Sequence, residues 1–209
     1  MPRLNLAVLL SGNGTTLENL FEKCASGNLD AEITCVISSR ADAFGLERAR
    51  KRNVPAITVP RKAYGTIDEF SAAVYAAMTP YKVDVIAHAG FMCMLRIPQE
   101  WEHRVVNVHP ALLPSFGGKG FYGHHVHEAV LKHGCKVSGC TVHYVDNQYD
   151  NGPIIAQRCV PVLNDDTSET LGARVQQAER ELYPEAIQII AEGRIKIVNR
   201  VVSVCPKGS

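Results

Sequence analysis

Two polar residues interrupt an apolar run at Val105-Val106-Asn107-Val108-His109-Pro110. Read as a strand, the run sends the side chains of Asn107 and His109 from one face, because strand side chains alternate. Pro110 has no amide hydrogen and ends the strand there. A buried face holds such groups only with partners or a ligand. An amide beside an imidazole can donate to a developing oxyanion and move a proton. The plainer alternative is a buried histidine satisfied by backbone, with Asn107 as its local partner. The carboxylate that could complete a catalytic set, Asp150, lies in the turn Tyr149-Asp150-Asn151-Gly152-Pro153. Its ordinary role there is turn chemistry. Its functional role would be to hold a histidine in one tautomer and favour the charged ring. That Asp150 meets His109 is an expectation the sequence cannot decide.

A second candidate is the loop Ser11-Gly12-Asn13-Gly14-Thr15-Thr16, between a first apolar strand and a first helix. Thr15 and Glu18 have capping-box spacing, which predicts a helix start at about Thr15. Exposed amides and the helix dipole at such a start favour an anion, and glycine lets it come close. The pattern lacks the third glycine of a dinucleotide fingerprint and the Gly-Lys-Ser/Thr of a P-loop. Two readings stand level: a phosphate site for a small metabolite, and a tight turn with no ligand.

The elements that must position these residues alternate from the start. Strands are predicted at Leu4–Leu10, Glu32–Ser38, Ala56–Val59, Val83–Ala87 and Val105–His109. Helices are predicted at 16–24, Phe44–Arg52 and Ile67–Met78. This order predicts an α/β fold: a three-layer, mostly parallel twisted sheet with helices on both faces. After a Gly- and Pro-rich stretch at 110–123, the pattern becomes a helix at Val126–His133 capped by Gly134. Strands follow at Ser138–Val145 and Ile154–Val160, then a long helix opened by Thr167 and running to about Ala191. A terminal hairpin over Ile195–Val204 turns at Asn199-Arg200, so the C-terminal part carries antiparallel strands. With no repeat, low-complexity segment or linker, a single domain over 1–209 is the simplest organisation.

Composition narrows the function. Twenty-two basic against 21 acidic side chains leave a net charge of +1, which argues against a protein that grips nucleic acid electrostatically. The seven cysteines are odd in number and contain no Cys-x-x-Cys, which points to free thiols and a reduced, cytoplasmic compartment. The start has no signal-peptide pattern, and no stretch is long enough to span a bilayer.

Five segments in order resemble the folate-dependent formyltransferases: Ser11 to Leu17; Ser39 to Gly45; Ala89-Gly90-Phe91-Met92; Asn107-Val108-His109-Pro110 with Leu112-Leu113-Pro114-Ser115; and Asp150-Asn151-Gly152-Pro153-Ile154-Ile155. Ala173-Arg174-Val175-Gln176, Glu179 and Tyr183-Pro184 extend the resemblance across nearly the whole chain. It implies transfer of the formyl group of 10-formyltetrahydrofolate to the amine of phosphoribosylglycinamide, with small-molecule partners, no metal, and a monomer or homodimer. It implies that Gly14, Thr15 and Thr16 hold the substrate phosphate and that Glu179 contacts the glycinamide end. Met92, Cys93, Met94, Leu95, Asn107, Asp146 and Asp150 would line the folate pocket. Asn107 and His109 would stabilise the tetrahedral oxyanion, and Asp150 would tune His109 and assist proton transfer through water. Two other readings are a formyltetrahydrofolate hydrolase, whose relatives carry an extra N-terminal regulatory domain, and a non-catalytic folate- or nucleotide-binding protein.

The sequence departs from the family's pattern in three places. Cys93 stands where a basic residue is frequent. The region around Ile67 lacks an arginine, with Arg61 and Lys62 displaced nearby. The segment Gly117 to His125 is long, and reads either as a flap over the substrate or as a plain surface loop. His124, His125, His127, Glu128 and His133 do not follow His-Glu-x-x-His. The resemblance makes His125 and His127 site-lining residues without a metal, against a bland alternative of solvated histidines. His143 reads as a satisfied core residue, and Arg48, Arg50, Lys51 and Arg52 as a wet helix face or an attractor for an anionic folate tail.

Overall fold

A computed structural model describes residues 3–207. The strands are β1 (Leu4–Leu10), β2 (Ala31–Ser38), β3 (Ala56–Thr58), β4 (Val85–His88), β5 (Val105–His109), β6 (Val137–Tyr144), β7 (Ile154–Pro161), β8 (Ile195–Val198) and β9 (Val201–Val204). The α-helices are α1 (Thr15–Ala25), α2 (Phe44–Lys51), α3 (Ile67–Met78), α4 (His124–Lys132) and α5 (Ser168–Ala191). Seven strands follow the hydrogen-bonded order β3-β2-β1-β4-β5-β6-β7, and β8 and β9 form a separate pair. The α/β expectation, with antiparallel strands toward the C-terminus, is what the chain forms.

The chain clusters into two compact units, one ending at Val106 and the other beginning at Asn107. In the first, β1 pairs in parallel with both β2 and β4, and β2 pairs in parallel with β3. A strand covered on both faces must be apolar throughout, which is why Leu6 to Leu10 are all fully buried. Leu17, Leu20, Phe70 and Val74 supply the helix faces of this core. In the second unit β6 and β7 are antiparallel, and Val126, Val142, Leu171, Val175 and Ile187 form the core. Burial also decides the thiols: it pushes Cys35 up to about 11 and Cys140 up to about 12.

Helix ends show where local chemistry held and where packing replaced it. Thr66 caps α3 through a capping box with Glu69, and Thr167 caps α5 through one with Thr170. The box expected at Thr15 and Glu18 does not form. Gly14, in the left-handed region at φ 71, is the N-cap, and no side chain caps α1. Glu18 instead accepts Arg48 and Arg52, whose pull holds its carboxyl below the usual range against partial burial. The basic run is therefore no simple wet face. Arg48 also donates to the Asn13 carbonyl at 2.9 Å, and Arg50 pairs with Glu47. Gly134, at φ 67, follows α4 as expected.

Candidate active site

Strand β5 delivers Asn107 and His109 two residues apart, and His109 is buried while Asn107 is half-buried. His109 Nδ1 lies 3.5 Å from Asp150 Oδ2. The carboxylate in the β6–β7 turn thus does meet the imidazole. The opposite nitrogen, Nε2, donates to the Phe116 carbonyl at 2.8 Å. With an acceptor at each nitrogen, the ring can donate from both only as an imidazolium, the form that stabilises an oxyanion.

The sequence reading missed His143, which belongs to this cluster. Its Nδ1 is 2.9 Å from the Tyr144 carbonyl, so Nδ1 carries the proton and Nε2 is left as an acceptor. Asn107 Nδ2 donates to that Nε2 at 3.2 Å, which orients the Asn107 amide. Asp150 Oδ1 lies 3.8 Å from the same nitrogen. Burial holds His143 below the ordinary histidine range, against the opposing pull of the Tyr144 carbonyl and Asp150. A neutral ring is what an amide donor needs. The signal was present: Thr141 and His143, like Asn107 and His109, are polar groups two apart on an apolar strand.

The loop after β5 closes on the same atoms. Gly118 N–H donates to Asp150 Oδ2 at 2.9 Å. A Cβ on Gly117 would lie 2.5 Å from Leu113 Cδ2 and 3.3 Å from Asp150 Cβ, so glycine lets the loop come this close without displacing either side chain. The start of the long segment is therefore packed on the polar cluster. The two histidines expected to line the site diverge. His127 is buried, with Nδ1 lacking a hydrogen-bond partner among the described residues. Burial, and then the positive field of His109, hold it below the ordinary range. His125 is exposed and faces Glu128 at 3.4 Å. With His124 these two bring ligand atoms within 4.8 Å of one another on the surface.

Asp146 accepts Gln148 N–H and Asn151 Nδ2, each at 2.8 Å, so its side chain serves its own loop. Glu179 on α5 is half-buried, and desolvation pushes its carboxyl up to about 7. No hydrogen bond or ion pair to its carboxylate occurs among the described residues, and desolvation is the only cause of its shift.

In the first unit, Gly14 is buried while Thr15 is exposed. A Cβ on Gly14 would lie 2.7 Å from Gly45 Cα, and Gly45 N–H donates to the Gly12 carbonyl at 3.1 Å. The loop is held by backbone packed on backbone, and no side chain caps the first-turn amides of α1. Ser11 Oγ accepts Met92 N–H at 2.9 Å and shares a 2.7 Å hydrogen bond with Ser39 Oγ. Ser11 thereby ties the loop to the segment 92–95. Within that segment Met92 is exposed, Cys93 and Met94 are half-buried, and Leu95 is in the core. The described residues contain no helix long and apolar enough to cross a membrane.

These features have counterparts in known proteins. The formyl transferase family model matches residues 4–187. A trifunctional purine biosynthetic protein adenosine-3 from Gallus gallus is 40% identical over 93% of this chain, which spans 19% of that protein's length. A chloroplastic phosphoribosylglycinamide formyltransferase from Arabidopsis thaliana is 38% identical over 93% of this chain and 68% of its own. The crystal structure of glycinamide ribonucleotide transformylase 1 from Symbiobacterium toebii superposes with a TM-score of 0.91 at 41% identity, covering 98% of this chain and 95% of that one. A formyltetrahydrofolate deformylase from Pseudomonas syringae superposes with a TM-score of 0.86 at 25% identity, over 98% of this chain and 66% of that one. With a match across residues 4–187 and the Asn-x-His strand and Asp150 turn inside it, the chain belongs to the formyl transferase family.

Proposed function

We propose that the chain transfers the formyl group of 10-formyltetrahydrofolate to the amine of phosphoribosylglycinamide, acting as one formyltransferase domain in purine biosynthesis. The observation that carries this reading is the Asp150 carboxylate 3.5 Å from His109 Nδ1, beside an Asn107 amide oriented by His143. The neutral amine attacks the formyl carbon, and its carbonyl oxygen gains negative charge. The N–H of Asn107 Nδ2 not given to His143 donates to that oxygen, and the positive charge of the His109 imidazolium stabilises it. Asp150, directly or through a water, takes the proton that the attacking nitrogen sheds. The same proton passes from Asp150 or the water to the leaving folate nitrogen as the C–N bond to folate breaks, giving the formamide and tetrahydrofolate and restoring the Asp150 carboxylate. Positioning and charge stabilisation account for the acceleration, because an amine is already a nucleophile.

Gly14, Thr15 and Thr16 would receive the phosphate at the start of α1. Glu179, raised and unpaired, would receive the glycinamide end. Met92 to Leu95 and the loop Asp146 to Asp150 would bound the folate. Free thiols at all seven cysteines support a reduced compartment such as the cytoplasm.

The likeness to the deformylase supports a second reading, in which water replaces the amine. Purified protein incubated with 10-formyltetrahydrofolate, with and without phosphoribosylglycinamide, decides between them. Tetrahydrofolate release that requires the amine and yields formylated product is the expected result. Equal release in its absence would establish the hydrolase, and no turnover in either case would leave a binding protein.

A further inference from the structure

The loop that presents Asp150 is held from two directions. Asp150 itself sits in the left-handed region at φ 50, where a residue with a Cβ needs its surroundings to keep it. Asp146 sends one carboxylate oxygen to Gln148 N–H and the other to Asn151 Nδ2, each at 2.8 Å. These two bonds tie residues on both sides of Asp150 back to the start of the loop. Both are charge-assisted, the stronger class of hydrogen bond. The second direction is the β8–β9 hairpin. Arg200, at its tip, donates from Nη2 to the carbonyl of Asn151, the residue after Asp150. The hairpin lies beyond residue 187, where the family match ends. Gly152 completes the arrangement, because a Cβ there would fall 1.8 Å from the Tyr144 carbonyl.

We propose that Asp146 and Arg200 are positioning residues that hold the 146–151 loop in the shape that presents Asp150 to His109. The inference rests on the formyl-transfer reading for its kinetic consequences and on the loop geometry alone for its structural ones. With one hydrogen bond accepted at each oxygen, the Asp146 carboxylate shapes the loop whose whole length bounds the formyl donor. Arg200 is exposed, so water competes for its bond, and its effect is the smaller of the two.

The test combines kinetics with amide hydrogen exchange on the substrate-free protein. Asp146→Ala should lower kcat by about 50-fold, with KM for both substrates within about three-fold, since misplacing a reacting group by an ångström is that costly. Arg200→Met should lower kcat by about five-fold, and Arg200→Lys, which keeps a cationic donor, should recover most of it. In Asp146→Ala the amides of Gln148 and Gly118 should exchange at least about ten-fold faster, the second because it reports the place of Asp150. If Asp146→Ala does not fold, Asp146→Asn takes its place, keeping one acceptor and losing the other. Unchanged kcat and unchanged Gly118 exchange in both variants would overturn the proposal. So would a loss confined to KM for the formyl donor, which would make Asp146 a direct contact. Exchange is read without turnover, so failure of the formyl-transfer assay would leave the bracing still judged.

Discussion

The glycine loop before α1 and the polar cluster at the end of β5 are built from opposite materials. In the loop, backbone does the work: a left-handed Gly14, no side-chain cap on α1, and Gly45 packed against Gly14. In the cluster, side chains do it: Asn107, His109, His143 and Asp150 are set by one another's hydrogen bonds and charges. A backbone site should be insensitive to which side chains it carries and intolerant of any added Cβ. A side-chain site should fail when one functional atom changes, even with its shape intact.

The sharpest test of that difference is Asp150→Asn. It keeps the size of the side chain and removes the charge facing His109, so kcat should fall by about a thousand-fold while the circular dichroism spectrum and unfolding midpoint hold. Near-normal turnover would remove the carboxylate from the chemistry.

Glu179 extends the side-chain logic to stability. Its folded value of about 7 lies above the ordinary carboxylate value, so the folded chain holds that proton more tightly than the unfolded chain does. The stabilising contribution is complete at acid pH below the ordinary value and is lost as pH rises toward 7. Glu179→Gln cannot ionise and lacks this slope. In urea unfolding at about pH 5 and about pH 8, the wild type should lose about 2 to 3 kcal/mol relative to the variant. Parallel curves would mean that the carboxylate has a partner.

Gly14→Ala examines the backbone side of the comparison. At φ 71, with a new Cβ placed 2.7 Å from Gly45 Cα, the change should cost about 2 kcal/mol of stability. KM for the phosphorylated substrate should rise with kcat retained, and a kcat loss instead would separate the loop from phosphate binding. The smallest effect belongs to Thr15→Ala, at under about 0.5 kcal/mol, because that side chain caps nothing. Thr66→Ala, which breaks a real capping box, should cost about 1 kcal/mol. Equal costs at the two positions would mean that α1 is capped by its threonine after all.

What was legible in the sequence follows short-range geometry. Alternation put Asn107 and His109 on one face of β5, and α3 runs over Ile67–Met78, the residues its periodicity defines. The hairpin at Asn199-Arg200 could be read from its turn residues, and the structure pairs it strand for strand. Capping at Thr15 could not be read correctly, because Arg48 on α2 and Arg52 just past its end claim Glu18. His143 read as core, and it is buried, yet its neighbour across the sheet turned it into the group that orients Asn107.

By itself the sequence determined the strands, the helices and the face on which the amide and imidazole stand, because backbone sterics and side-chain periodicity act over a few residues. Only the tertiary structure decided that Asp150 meets His109, that Asp146 turns inward to its own loop, and that Glu179 is desolvated with no hydrogen bond or ion pair among the described residues. Those outcomes depend on strand order and burial, which arise from contacts between residues far apart in the chain, and on the dielectric surroundings those contacts create.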